Sequence, residues 1–300
     1  LKKMLIGLFM KVVVADRLAI YVDYVYAQVG IHGRLALLTA VFFYSFQLYC
    51  DFAGYSLIAI GAARTMGFSL SDNFKQPYLA SSITQFWSRW HMTLSRWFRD
   101  YLYIPLGGSR VSTLRHLFNI LVVFLLSGLW HGANWTFIVW GTLHGLLVIF
   151  ETFFAGKRAA RRNPISAGDR DPSPDRPARP FPSIGRIVGI LYTFTLVSLC
   201  LVFFRSASVA EALTVIRRIF SPSTFSQTGG EFRERALLLY SLFGIGCILA
   251  MDIRMEMTGK RGLLLYHKRS TVRLSAVAAL VVVILLLGVF DGSQFIYFQF

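Results

Sequence analysis

A membrane-spanning helix needs about 20 mainly apolar residues, and six windows of this chain meet that requirement. They cover residues 35–60, 117–130, 135–154, 184–204, 236–251 and 274–289. In hydrocarbon each must be helical, because a backbone N–H or C=O left without a partner there costs several kcal/mol. Composition agrees. Apolar residues make up 55% of the chain and charged residues 15%, against about 25% charged in an ordinary soluble protein. The predicted fold class is therefore all-α, a polytopic transmembrane helical protein. A further stretch, Met4 to Ala27, is interrupted by Lys11, Asp16, Arg17 and Asp23 and reads as re-entrant or interfacial.

The 31 Lys and Arg against 15 Asp and Glu give a net charge of +16, which in a soluble protein would suggest nucleic acid. Here the basic residues lie mostly between the apolar runs, so they are read as orientation signals and no nucleic-acid partner is expected. Lys157, Arg158, Arg161, Arg162, Arg170, Arg176, Arg179 and Arg186 crowd one loop, and seven more basic residues lie between Arg64 and Arg115. Both loops are expected on the cytoplasmic side, the turn at Gly132 to Asn134 on the far side, and the tail DGSQFIYFQF outside. Arg158 to Pro182 holds six of the nine prolines, a composition that cannot bury enough surface to fold. The expected organisation is a helical core over 1–155 with the histidine-bearing stretches, a disordered basic linker over 156–183, and C-terminal transmembrane helices over 184–300.

Cys50, Cys200 and Cys247 are widely spaced within or beside apolar segments. They form no CxxC pair or Cys/His cluster, so they read as packing residues and no metal site is expected. The chain opens at Leu1 on an apolar, basic-tipped stretch, which reads as an N-terminal truncation and supports no signal peptide.

Residues 84–101, TQFWSRWHMTLSRWFRDY, bring Trp87, Trp90, His91, Leu94, Trp97, Phe98 and Tyr101 together at three- and four-residue steps. Ser88, Arg89, Thr93, Arg96 and Arg99 take the other side. This periodicity predicts an interfacial amphipathic helix in the cytoplasmic headgroup region, with His91 pointing inward. The glycines of IPLGGSR, 104–110, end it in a turn.

Four further residues sit where polar groups are costly. Asp51 lies well inside the first span, where an acid costs about 2.5–3.5 kcal/mol on insertion scales. His131 follows Ser127 by four residues, which places both on one helix face, and Gly132 permits a turn or a close approach. His144 stands some ten residues into the return helix, roughly 15 Å along its axis. Each has a structural reading as a packed polar residue and a functional one. A neutral imidazole is a competent general base at physiological pH. No G-x-S-x-G elbow and no phosphate-binding glycine loop is present, so direct transfer is favoured over a covalent intermediate, and an ATPase or kinase is disfavoured. A transporter or channel in which Asp51, His91, His131 and His144 form a proton or substrate path is the alternative. The paired broken helices and inverted repeats usual in transporters are not evident in the sequence.

The strings GLFMKVVVADRLA (7–19), QLYCDFAGYSLIAIGAARTMGF (47–68), NFKQPYLASSITQFWSRWHMTLSRWFRDYLYIPLGGSR (73–110), SGLWHGANWTFIVWGTLHG (127–145) and FIYFQF (295–300) resemble the membrane-bound O-acyltransferases. The similarity is to their bacterial alginate O-acetyltransferase-like branch. That resemblance implies a multi-pass protein of the bacterial inner membrane, an O-acyltransferase of the O-acetyltransferase kind. Its donor would be acetyl-CoA or a carrier-bound acyl thioester, with no bound cofactor. Its partners would be acyl-CoA or an acyl carrier protein on one side. On the other would be an exported polysaccharide, a periplasmic SGNH-type acetyltransferase, or both. By the same resemblance His131 is catalytic and His91 is a second tunnel residue, while Asp51, His144 and Ser127 are supporting candidates. Arg89, Arg96 and Arg99 are candidates for the donor's phosphates, with contact to anionic lipid as their plainer role.

Overall fold

The computed structural model describes residues 1–154, 183–221, 235–259 and 264–290, and every regular element among them is helical. In chain order the helices are α1 (Lys2–Leu8), α2 (Asp16–Ala27), α3 (Arg34–Thr65), α4 (Ile83–Trp87), α5 (Met92–Phe98) and α6 (Thr113–His131). They continue with α7 (Trp135–Phe154), α8 (Ile184–Arg205), α9 (Val209–Phe220), α10 (Arg235–Thr258) and α11 (Ser270–Leu287). The six apolar windows all fall in helices long and apolar enough to cross a membrane: α3, α6, α7, α8, α10 and α11. The protein is a multi-pass, all-α membrane protein. The expected linker over 156–183 lies, apart from Ser183, outside the described residues, and so does the string 295–300.

The chain divides into two units, one formed by Leu1–Asp72 with Thr214–Phe300 and the other by Asn73–Leu213. In the first, the stretch from Met4 to Ala27 is helical throughout, α1 running through a π-helical turn, Phe9–Ala15, into α2. It lies along α3, where Gly7 and Gly54 approach so closely that a Cβ on either would sit 2.5 or 2.7 Å from the other's carbonyl oxygen. The charges that interrupt this segment are used internally. Lys11 Nζ lies 2.8 Å from Asp16 Oδ1 and 2.6 Å from Asp51 Oδ1. The Arg17 guanidinium donates to the Leu287 carbonyl. On the same α3, Tyr49 donates its hydroxyl to Asp252 Oδ2 at 3.0 Å.

In the second unit, α6 and α7 form a hairpin joined at Gly132–Asn134, whose backbones meet through small residues. A Cβ at Gly128 would collide with the Phe137 carbonyl, and one at Gly141 with the Phe124 carbonyl. This is how helices associate in lipid, where apolar side chains gain nothing by leaving the solvent. Asn134 closes the turn, accepting from Thr136 N at 3.1 Å and donating to the Ala207 carbonyl at 2.9 Å.

The helix predicted over 84–101 is broken. It consists of α4, a turn through His91, α5, and a π-helical turn at Arg99–Tyr103. The cause is the segment just before it. The Asn73 carbonyl accepts from Met92 N at 3.0 Å, and Lys75 N donates to the Arg89 carbonyl at 3.0 Å, so backbone groups that a continuous helix would use are bonded outside it. His91 absorbs the reversal in the left-handed region, φ 43° and ψ 51°. The expected faces change accordingly. Trp90, His91 and Phe98 are buried as predicted, but Trp97 and Tyr101 are exposed and Arg99 is buried. The turn expected at 104–110 is present, with Gly107 and Gly108 at positive φ.

Candidate functional site

Local bonding fixes where α4 begins and therefore where Trp87 and His91 stand. Ser82 caps the helix by accepting from Gln85 N at 3.1 Å, and Gln85 Oε1 accepts in turn from Ser81 N at 2.7 Å. A carboxylate from another element completes the cap. Glu151, on α7, accepts from Ile83 N at 2.6 Å and from Thr84 N at 2.9 Å. Negative charge at the positive end of a helix satisfies amides that have no partner within the helix.

Between α5 and α6 a cleft opens, with His91, Trp87 and Trp90 on one wall and Phe124, Ser127 and His131 on the other. It holds about 500 Å³ of space not filled by atoms, its open mouth included. None of the described side chains lining it is charged; its titratable groups are the two imidazoles. Each ring is packed against aromatic side chains. His131 is enclosed by Trp130, Trp140 and Phe204 with ring centroids 5.0, 5.1 and 5.2 Å away. Trp130 also stands 6.3 Å from the His91 ring and so lies beside both histidines.

His91 is 9% exposed. Its Nδ1 lies 3.2 Å from Asn73 Oδ1, the atom that also accepts from Thr93 N at 3.2 Å and from the Thr93 hydroxyl at 2.9 Å. Burial pushes the His91 imidazole down to about 4, so at neutral pH it is uncharged and can accept a proton or a hydrogen bond.

Of the residues singled out in the sequence, the structure brings His91, Ser127 and His131 to one cleft. His144 is set deeper, 1% exposed, with Trp140 at 5.1 Å and Trp87 at 5.0 Å. Trp140 is thus packed against both His131 and His144. The His144 Nδ1 and the indole nitrogens of Trp87 and Trp140 are buried without a hydrogen-bond partner. Asp51 belongs to the other unit, where it pairs with Lys11. The three arginines differ. Arg89 donates to the Gln76 carbonyl at 3.3 Å, Arg99 pairs with Asp100 at 2.8 Å, and Arg96 has a buried Nε with no partner. No group of three or more His, Cys, Asp or Glu able to hold a metal ion occurs among the described residues.

Asn73, Glu151 and Trp140 were not singled out by residue type or spacing. Trp140 could have been found, since it precedes His144 by one helical turn. Asn73 and Glu151 act across 18 and 68 residues of chain, and no local periodicity reports such contacts.

A peptidoglycan O-acetyltransferase of Helicobacter pylori is 33% identical over 310 aligned residues, covering 98% of this chain and 55% of that protein. A probable alginate O-acetylase of Pseudomonas aeruginosa is 48% identical over 161 residues, 53% of this chain and 31% of its own length. A teichoic acid D-alanyltransferase of Streptococcus thermophilus is 32% identical over 190 residues, 59% of this chain and 43% of its own. The chain thus spans about half, or less, of the length of these relatives. The model of the membrane-bound O-acyltransferase family matches residues 1–162, a stretch that contains both histidines of the cleft and the whole α6–α7 hairpin. With more than half of its residues in that match, the chain belongs to the membrane-bound O-acyltransferase family.

Proposed function

We propose that this chain carries the transfer site of a bacterial inner-membrane O-acyltransferase of the O-acetyltransferase kind. It moves an acyl group from a thioester donor, acetyl-CoA or a carrier-bound acyl group, toward a hydroxyl. The observation that carries this reading is the pairing of His91 and His131 on the walls of one cleft that none of the described charged side chains lines. An imidazole in such surroundings stays neutral, with a ring lone pair to take the proton of a hydroxyl. His131 takes the proton of the attacking hydroxyl as its oxygen bonds to the acyl carbon. The carbon–sulfur bond then breaks, and the thiolate leaves with a proton returned by the imidazolium. His91 orients a reactant. The ring cage of Trp130, Trp140 and Phe204 keeps water from competing with the hydroxyl.

The donor is expected from the cytoplasmic side. Among its three candidate arginines Arg96 is favoured, because the guanidinium groups of Arg89 and Arg99 already bond to Gln76 and Asp100. The acceptor is an exported polysaccharide, or a periplasmic SGNH-type acetyltransferase that passes the group on. The names of the relatives support a cell-envelope polymer as the eventual destination.

His131→Ala tests the central role. In membranes supplied with radiolabelled acetyl-CoA, incorporation into polymer should fall about 10²–10⁴-fold, the usual contribution of a positioned base, at unchanged protein level. Wild-type incorporation by that variant would overturn the assignment.

A further inference from the structure

We propose that Asn73 is a positioning residue that fixes His91 in the tautomer protonated at Nδ1, so that His91 serves the acceptor hydroxyl through Nε2 and not the acyl carbonyl. The inference deepens the function proposed above and rests on it.

Three contacts decide the tautomer. A backbone N–H can only donate, so the Asn73 atom that meets Thr93 N at 3.2 Å is the amide oxygen and not the amide nitrogen. That oxygen can only accept. The same oxygen lies 3.2 Å from His91 Nδ1, and two lone pairs facing each other at that distance would repel. The proton between them therefore belongs to Nδ1. The Thr93 hydroxyl offers no other solution, because its hydrogen goes to Asn73 Oδ1 at 2.9 Å and its oxygen stands 3.5 Å from the ring.

A neutral imidazole carries one ring proton, so with Nδ1 protonated Nε2 holds the lone pair. Nε2 then cannot donate to the oxygen of a thioester carbonyl, but it can accept from an O–H. Of the two reactants only the hydroxyl offers such a donor at its reacting atom. In the bound complex His91 accordingly accepts from the attacking hydroxyl, whose hydrogen turns to His131 as the oxygen attacks. Asn73 secures this from both ends of its own residue, since its backbone carbonyl accepts from Met92 N at 3.0 Å and so helps hold His91 in the left-handed conformation that presents its ring to the cleft. The groups facing His91 include Asn73 and Thr93, Trp130 from α6, and His131, the other titratable group of the cleft.

The test uses the protein in lipid bilayers, labelled with ¹⁵N-histidine, the His91 signals being assigned by their loss in His91→Asn. Solid-state NMR should show a protonated Nδ1 and an unprotonated Nε2 in the wild type. A protonated Nε2 would overturn the proposal. With acetyl-CoA as donor and an alginate oligosaccharide as acceptor probe, Asn73→Leu should raise KM for the oligosaccharide about tenfold, the equivalent of one lost interaction of about 1.4 kcal/mol. KM for acetyl-CoA should stay within about twofold. A change confined to acetyl-CoA would overturn it as well. Asn73→Asp retains the accepting oxygen and serves if the leucine variant does not fold. Its carboxylate favours the imidazolium, so the acid limb of the pH–rate profile should move toward neutrality, and an unmoved limb counts against the proposal. Should the wild type show the expected tautomer while His91→Asn transfers acetyl groups at the wild-type rate, His91's service to the acceptor is overturned; failure of the function proposed above shows instead as wild-type transfer by His131→Ala.

Discussion

His91 occupies a conformation that costs a residue with a Cβ about 1–2 kcal/mol, and it is buried as a neutral ring. The bond from Met92 N to the Asn73 carbonyl helps hold the conformation, and the burial of the ring has a consequence for pH. With its proton affinity lowered from an ordinary 6.5 to about 4 by burial, His91 binds a proton in the unfolded chain at a pH where the folded chain refuses it. Its contribution to stability is therefore complete above about pH 6.5 and is lost as pH falls toward 4. His91→Asn, which cannot titrate, should lose less thermal stability than the wild type between pH 7 and pH 4.5, measured by unfolding in detergent. An equal loss in both would show that the ring does not titrate as its burial demands. At this scale the sequence singled out Ser127 and His131 where they interrupt an apolar run and His91 where it falls on the aromatic face of a helical period, and the three line one cleft. It was silent on Asn73, whose type is common in loops and whose partner lies 18 residues on.

Among the elements, the α6–α7 hairpin sets the spacing of the cleft wall that carries Ser127 and His131. Its backbones meet at Gly128 and Gly141, so added volume cannot be absorbed by a rotamer change. Gly141→Val should destabilise the protein by about 1–3 kcal/mol, the usual cost of overpacking, and lower its thermal midpoint in detergent. An unchanged midpoint would mean the helices part freely. The six spans were legible because length and apolarity suffice to define them. The interruption of 84–101 was not, because its three- and four-residue periodicity is that of a continuous helix while the bonds that break it come from Asn73 and Lys75. The charges within Met4–Ala27 were legible as interruptions but their partners were not, since Lys11 pairs with Asp16 five residues on and with Asp51 on another helix.

For the molecule in its membrane, the distribution of Lys and Arg implies that the two ends of α6 face opposite compartments. Its 19 residues extend about 28 Å at 1.5 Å per residue, which matches a hydrocarbon core of about 30 Å. In a variant whose Cys50, Cys200 and Cys247 are replaced by Ser, a cysteine introduced at Ala133 should react with an impermeant maleimide added to intact cells. One introduced at Ser109 should react only after the cells are opened. The reverse pattern would invert the topology and with it the direction of transfer. Both positions are exposed, so failure to react reflects the membrane and not packing.

The bond between Glu151 and the first amides of α4 bears on how the protein tolerates different lipids. Trp140, in contact with His131, and Glu151, which holds α4, stand on the same rigid helix about 16 Å apart along its axis. A bilayer that thins or thickens makes such a rod lean. Since Glu151 tethers α4 to one part of the rod and Trp140 packs against His131 at another, a change of lipid thickness should carry both along together.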